Sequence, residues 1–217
     1  MTPLLVLTIG QAPRPDLEHE LGAVLGPERP IEVRGALDGL PLAEIERLAP
    51  INDADALHCH LPSGHDVIIS KKDVTTRLGA LLEADPGRPT VVACTGRFVG
   101  LPAVPNVLYP SGVLRGLVDA VLPPGSRLGV LVPIPEQVES FVEYWNESDR
   151  PAIVRSVKPG SDPTEVADEL AAAGVDLTVL DCFGYSRALR DQVRAITGRP
   201  VLSASRCTAQ VALEMLG

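Results

Sequence analysis

Two cysteines, Cys94 and Cys182, sit in matched settings where a thiol can act as acid, base or nucleophile. Thr90-Val91-Val92-Ala93-Cys94-Thr95-Gly96 matches Thr178-Val179-Leu180-Asp181-Cys182-Phe183-Gly184 at an offset of 182 − 94 = 88 residues. In each stretch an apolar, strand-like run ends in Cys-x-Gly. The ends of parallel strands are where open α/β sheets bind ligands. A glycine two positions on allows close backbone approach, and backbone N–H groups exposed there can hold a carboxylate. Helix N-termini behind such a turn lower a thiol's pKa and activate it. For either cysteine alone the plain alternative is a buried residue ending a core strand. Two at equivalent places favour function, with Thr95, Gly96 and Gly184 beside them as substrate-binding candidates.

Other candidates lie near predicted strand ends. Gln11 and Arg14 directly follow the first strand. A guanidinium there could clamp a carboxylate bidentately while the amide donates a further hydrogen bond. Asp38-Gly39 is a common turn pair, with Asp38 as a milder candidate. Ser70 could cap a helix, and Lys71 could offer a cation to an acidic ligand. Tyr185 and Ser186 could shape a pocket or cap a helix, and Ser111 opens the helix after a short strand. Asp181 should point away from the Cys182 thiol, because neighbouring strand residues face opposite ways, and should anchor another element. Arg187 could favour a Cys182 thiolate by folding back, which would make Cys182 the more reactive thiol. His58, His60 and His65 with Cys59 have the types of a zinc site, but an exposed polar hairpin accounts for them, and no metal is expected. Cys207 reads as core and His19 as surface.

The elements that must position these residues alternate between strand and helix. Continuous apolar runs at 4–9, 90–93, 128–132 and 177–180 suit parallel strands covered on both faces. Further strands are expected at 31–37, 107–109, 152–156 and 201–202. A hairpin is expected from 57–60 and 66–70 around Pro62-Ser63-Gly64. Helices are expected at 16–25, 41–48, 73–83, 112–122, 136–145, 162–173, 187–196 and 205–216. Val107-Leu108 and Val201-Leu202 extend the internal match, at an offset of 201 − 107 = 94. The pattern predicts parallel sheets with helices on both faces.

Composition agrees with this frame. The 217 residues are 45% hydrophobic but only 3% aromatic, so the core must be aliphatic. Nineteen basic against 28 acidic residues give a net charge of −9, which repels phosphate backbones and argues against nucleic acid. No apolar run approaches the roughly 20 residues of a membrane span. The opening residues Met1 to Gly10 lack a basic leader and read as a strand, so the expected location is the cytoplasm. The four cysteines form no CxxC pair, and in a reducing compartment no disulfide is expected.

Leu7-Thr8-Ile9-Gly10-Gln11-Ala12-Pro13-Arg14-Pro15-Asp16 resembles the opening signature of the AroM family. Gly35-Ala36-Leu37-Asp38-Gly39-Leu40, Val67 to Lys72 and Leu180 to Tyr185 fit the same family, so the likeness covers nearly the whole chain. The second half, ending in Gly198-Arg199-Pro200-Val201-Leu202, also resembles the aspartate/glutamate/hydantoin racemase superfamily. That resemblance implies two parallel-sheet α/β/α domains related by a pseudo-two-fold, with the site in the cleft. The expected domains are 1–109, with helix 205–217 packing back on it, and 110–204. It further implies a cofactor-independent racemase or isomerase acting at the α-carbon of a small carboxylate. Cys94 and Cys182 would be the acid/base pair facing that carbon from opposite sides. The superfamily usually places Asn-Thr or Thr-His after its cysteines, whereas Thr95-Gly96 and Phe183-Gly184 stand here. A decarboxylase or lyase using Cys182 alone, or a non-catalytic carboxylate-binding protein, are the rival readings. The many aliphatic residues would permit a homodimer.

Overall fold

The computed structural model describes residues 2–146 and 150–217. The chain opens with strand β1 (Leu4–Thr8) and helix α1 (Pro15–Leu25), Met1 lying outside the described residues. Strand β2 (Ile31–Gly35) and the single turn α2 (Leu42–Ile45) follow, then the hairpin β3 (Ala56–His60) and β4 (Asp66–Ser70). Helix α3 (Lys71–Ala84), β5 (Thr90–Val92), β6 (Val107–Leu108) and α4 (Pro110–Val121) complete the first half. The second half runs β7 (Leu128–Val132), α5 (Val138–Trp145), β8 (Ala152–Ser156) and α6 (Thr164–Ala172). It closes with β9 (Leu177–Leu180), α7 (Arg187–Thr197), β10 (Val201–Ser203) and α8 (Ala204–Leu216).

Two four-stranded sheets result, ordered β2-β1-β5-β6 and β10-β9-β7-β8, and every pairing within them is parallel. Matching β7, β8, β9 and β10 to β1, β2, β5 and β6 makes the two orders the same. The sequence match at the cysteines is therefore one part of a repeated topology. In each sheet the chain leaves the first strand toward one neighbour and returns on the other side. The order thus reverses at β1/β5 and at β7/β9. Such switch points leave a crevice at the carboxyl ends of the strands, and β5 and β9 are the strands that lead to Cys94 and Cys182.

Strand periodicity sorts the apolar side chains into three layers. Leu4, Val6 and Val91 of the first sheet and Leu128, Val130, Leu177 and Val179 of the second belong to one shared core. Leu17 and Leu21 of α1, Leu114 of α4, Trp145 of α5 and Ala209 and Ala212 of α8 join it. Leu5, Leu7 and Val92 point the other way, onto α3 and the hairpin. Leu131 and Leu180 face α6 and α7 on the far side of the second sheet. The last helix, α8, packs on α1 and α4.

Two elements are shorter than the sequence pattern predicts, and one connection differs between the two halves. Strand β2 stops at Gly35 because Ala36 and Leu37 turn to donate to the carbonyls of Thr8 and Gly10. The Pro41 helix lasts one turn. Residues 93–106, which join β5 to β6, contain no helix, whereas α7 joins β9 to β10.

Gly35 lies where two loops touch. An added Cβ would fall on the Gly10 carbonyl and within 2.6 Å of Gln11 Cα. Backbone on both sides leaves little room to relax. Gly35→Ala should therefore cost about 1–3 kcal/mol, the range for overpacking. The expected result is a lower urea midpoint with an unchanged slope.

Candidate functional site

The carboxyl ends of both sheets and the hairpin enclose one cleft of about 490 Å³. Cys94 and Cys182 both line it, joined by Cys59 of β3. The backbone N–H of Gly96 donates to Cys94 Sγ at 3.3 Å, and that of Gly184 does the same for Cys182. The Cys-x-Gly spacing thus serves the thiol itself, because the turn folds the second residue's amide back onto the sulfur. A Cβ at Gly96 would sit 3.3 Å from Cys94 Sγ and 2.9 Å from Phe98 Cζ. At Gly10 it would meet Cys59 Sγ at 2.6 Å, so glycine makes room for that thiol as well.

The thiols are not activated in the way the helix-terminus argument predicts. Burial pushes Cys94 up to about 11, and both Cys182 and Cys59 up to about 12. The glycine amides and the nearby cations Arg14 and Lys71 act against this without overcoming it. Burial of each sulfur outweighs these few dipoles and partly screened charges. Each thiol therefore carries its proton at neutral pH. The cation that acts on Cys182 is Arg14. Arg187 is exposed, and its side chain lies 3.5 Å from Asp191.

Arg14, 7% exposed, spends its fork on Asp16, with Nε and Nη2 donating at 2.8 and 2.6 Å. Its Nη1 donates to Thr8 Oγ1 at 3.3 Å. The expected bidentate clamp is therefore filled by the protein's own carboxylate, and Arg14 gives the cleft charge. Gln11 does not line the cleft. Its Nε2 donates to the carbonyls of Leu37 and Leu40. Asp38 accepts from the backbone N–H groups of Ala12 and Gly35, each at 2.7 Å. Gln11 and Asp38 thereby bind the loop after β1 to the loop after β2 and set the position of Arg14.

The remaining sequence candidates divide. Lys71, Thr95, Gly96 and Gly184 line the cleft. Ser70 does not, and instead accepts from Asp73 N at 3.2 Å as the cap of α3. Tyr185 is buried behind the turn with its hydroxyl donating to the Val157 carbonyl at 2.7 Å. Ser111 lies in a separate hollow beside residues 96–104.

Several lining residues escaped sequence reasoning. Arg97, Lys158 and Thr8 line the cleft, as do His58, His60 and Asp66 of the hairpin. Gln137 reaches across, its Nε2 donating to the Ala56 carbonyl at 3.0 Å. Lys158 follows the end of β8, so strand-end position was its available signal. Arg97 directly follows Gly96, one step past the motif. Asp66 Oδ1 lies 3.2 Å from His58 Nε2 and 2.8 Å from His60 Nδ1, while Lys158 Nζ is 2.6 Å from its Oδ2. Among the described residues no three such groups are arranged to hold a metal. Lys71, Arg97, Arg14 and Lys158 face Asp16, Asp53 and Asp66 in the cleft lining. The cleft is thus net cationic in a chain of charge −9, which suits an anionic ligand.

Solved structures define the class. Glutamate racemase RacE1 from Bacillus anthracis aligns with a TM-score of 0.59 and 16% identity, over 99% of this chain and 81% of its own. The maleate isomerase Iso from Pseudomonas putida S16 aligns at 0.59 and 17%, over 100% of this chain and 93% of its own. An unliganded arylmalonate decarboxylase aligns at 0.56 and 16%, with the same coverage. The fold is therefore the two-domain α/β fold that these racemase, isomerase and decarboxylase structures share. The family model described as AroM protein matches residues 4–216, and the chain belongs to the AroM family. No curated protein sequence matches it significantly. No helix among the described residues is long and apolar enough to cross a membrane.

The Asp66 cluster generates a pH prediction. Burial opposes its ionisation, but hydrogen bonds from Lys158 and His60 hold its carboxyl down at about 2. A carboxyl depressed on folding stabilises the native state above its unfolded pKa, and that stability is lost as pH falls toward the folded value. Urea unfolding from pH 5 to 2 should therefore show a steeper loss for the wild type than for Asp66→Asn.

Proposed function

We propose that this protein is a cofactor-independent enzyme that moves protons at the carbon α to a small carboxylate, as a racemase or isomerase. Cys94 and Cys182 are its acid/base pair. The observation that carries this reading is the pair of Cys-x-Gly turns at the switch points of two like-ordered sheets, both opening into one cationic cleft. One thiol first gives up its proton to solvent; as thiolate it takes the α-proton, and the electron pair moves into the carboxylate as an enediolate. The other thiol returns a proton to the opposite face of the same carbon. Lys71, Arg97 and the Thr8 hydroxyl line the cleft where the extra negative charge develops.

The proton-bearing state of the thiols supports a second reading. In a decarboxylation the carbon–carbon bond to the leaving carboxylate breaks, and its electron pair stays on the α-carbon as an enediolate. A neutral thiol then gives its proton to that carbon, and solvent reprotonates the sulfur. This sequence needs no thiolate beforehand, and Cys182 alone could serve as the donor.

Proton NMR in D2O over a panel of amino, hydroxy and dicarboxylic acids tests both. Racemisation should appear as deuterium at the α-carbon of both enantiomers, and Cys182→Ser should abolish it. Cys94→Ser should slow turnover by about 10²–10⁴-fold, the usual worth of a positioned acid or base, while leaving exchange from one face. Carbon dioxide release that survives Cys94→Ser but not Cys182→Ser establishes decarboxylation instead. An acid that binds in calorimetry with neither exchange nor release makes the protein a non-catalytic binder.

A further inference from the structure

The repeat breaks where β5 passes to β6, and the break leaves a hollow beside α3. Helix α3 precedes β5 as α6 precedes β9. In the second half α6 packs against α7, the helix that joins β9 to β10. In the first half residues 93–106 make that join without a helix, so no helix takes the corresponding place beside α3. Lys72, Thr76, Ala80 and Glu83 recur at spacings of three and four along α3, and all four are exposed on one face. Val99 and Pro102 of the joining segment stand across from them. Between the two walls lies a hollow of about 1010 Å³.

The hollow and the catalytic cleft meet at Lys71 and Arg97, which line both. The other cleft cations, Arg14 and Lys158, are each paired with a carboxylate. Lys71 and Arg97 are held by neutral groups instead. Lys71 Nζ donates to the Ala54 carbonyl, and Arg97 Nη2 donates to the Ser140 carbonyl at 3.3 Å. The Arg97 guanidinium carbon also lies 4.3 Å from the Tyr144 ring centre. These partners fix both side chains without cancelling their charge. Burial, and then the charge of Arg97, hold the Lys71 ammonium below its usual pKa. Lys72 adds a third cation at the same end of the hollow. Two acids line the hollow. Asp55 spends its oxygens on the backbone N–H groups of Ile51 and Lys72. Glu83 lies 83 − 72 = 11 residues beyond Lys72, about 16 Å along the helix. Ser70 already caps α3, so side chains and not the helix end supply the positive charge.

We propose that this hollow is a subsite for a second anionic group of the substrate, which passes Lys71 and Arg97 and ends beside Lys72. The substrate is then a two-ended acid. One carboxylate lies in the cleft with its α-carbon at the thiols, and a distal carboxylate or phosphate lies along the first turns of α3. The missing helix is what makes room for the distal end. The hollow is open to water, so each ion pair there contributes little, and three cations together give a gain of about tenfold in affinity. The inference deepens the proposed function and rests on reading the cleft as a carboxylate site.

Calorimetry on the intact protein tests this with succinate, adipate, suberate and sebacate, each beside the monoacid of the same length. A diacid long enough to reach Lys72 should bind about tenfold more tightly than its monoacid. Lys72→Glu, which reverses the charge, and Ala80→Trp, which fills the hollow, should each erase that ratio. An arm with 8-phosphonooctanoate beside suberate separates the two distal groups, the tighter binder naming the one preferred. Position is read directly from Ala80→Cys, with N-ethylmaleimide labelling followed by peptide mapping. Saturating sebacate should protect that position, and saturating succinate should not. Short acids that bind while no diacid outbinds its monoacid overturn the subsite and leave the cleft reading standing. A diacid advantage that survives both substitutions places the distal group elsewhere and also overturns it. Sebacate that binds without protecting Ala80→Cys overturns it whatever the other variants do. Failure of every acid to bind, at any length, overturns the subsite and the cleft reading together.

Discussion

The hydrogen bond from the Thr95 hydroxyl to the Asp181 carbonyl ties the two cysteine turns together. Around it, one core that includes Leu4, Val6, Val91, Val130 and Val179 together with residues of α1, α4, α5 and α8 joins the two sheets. Burying an aliphatic side chain of this size contributes about 1.5–3 kcal/mol, so a layer of this extent fixes the relative placement of the sheets firmly. The strand ends then have one arrangement available. Both switch points open toward the same space, and the hairpin roofs it, pinned by Gln137 to Ala56.

Burial of the two sulfurs at the base of the cleft decides their protonation. Thiols ending parallel strands are commonly expected to be activated by amide dipoles. Here those dipoles are present, with the Gly96 and Gly184 amides turned onto the sulfurs, yet the thiols remain protonated. Removing water from around a sulfur anion costs more than one N–H group and a guanidinium already paired with Asp16 return. Proton-bearing thiols beside Lys71, Arg97 and Lys158 are the arrangement on which the proposed reading draws.

The two halves share a strand order but not their connections. Helix α7 fills the passage from β9 to β10, while residues 93–106 make the corresponding passage without a helix. On the Cys94 side Arg97 is exposed, its guanidinium carbon 4.3 Å from the Tyr144 ring centre. Among the described residues the hairpin has no counterpart in the second half. It brings His58, His60, Asp66 and Cys59 to one side of the cleft only. A repeated frame has thus acquired two unlike walls around a matched pair of thiols.

Much of this was written in local pattern. The apolar runs at 4–9, 90–93, 128–132 and 177–180 announce doubly covered strands, and Cys-x-Gly at the ends of two of them marks the site. Both properties depend on neighbours in the chain, so sequence alone determines them. The roles of Gln11, Asp38 and Arg14 were not legible, because a polar side chain after a strand looks the same whether it faces a ligand or a neighbouring loop. Only the packing of the loop after β1 against the loop after β2 spends Gln11 and Asp38 on backbone, and Asp16 on Arg14. The histidine hairpin read as surface because its partner, Lys158, lies 158 − 66 = 92 residues beyond Asp66. The protonation of the thiols belongs to the same class. It is set by how much water the assembled cleft excludes, a quantity that exists only once both sheets and the hairpin have closed around Cys94 and Cys182.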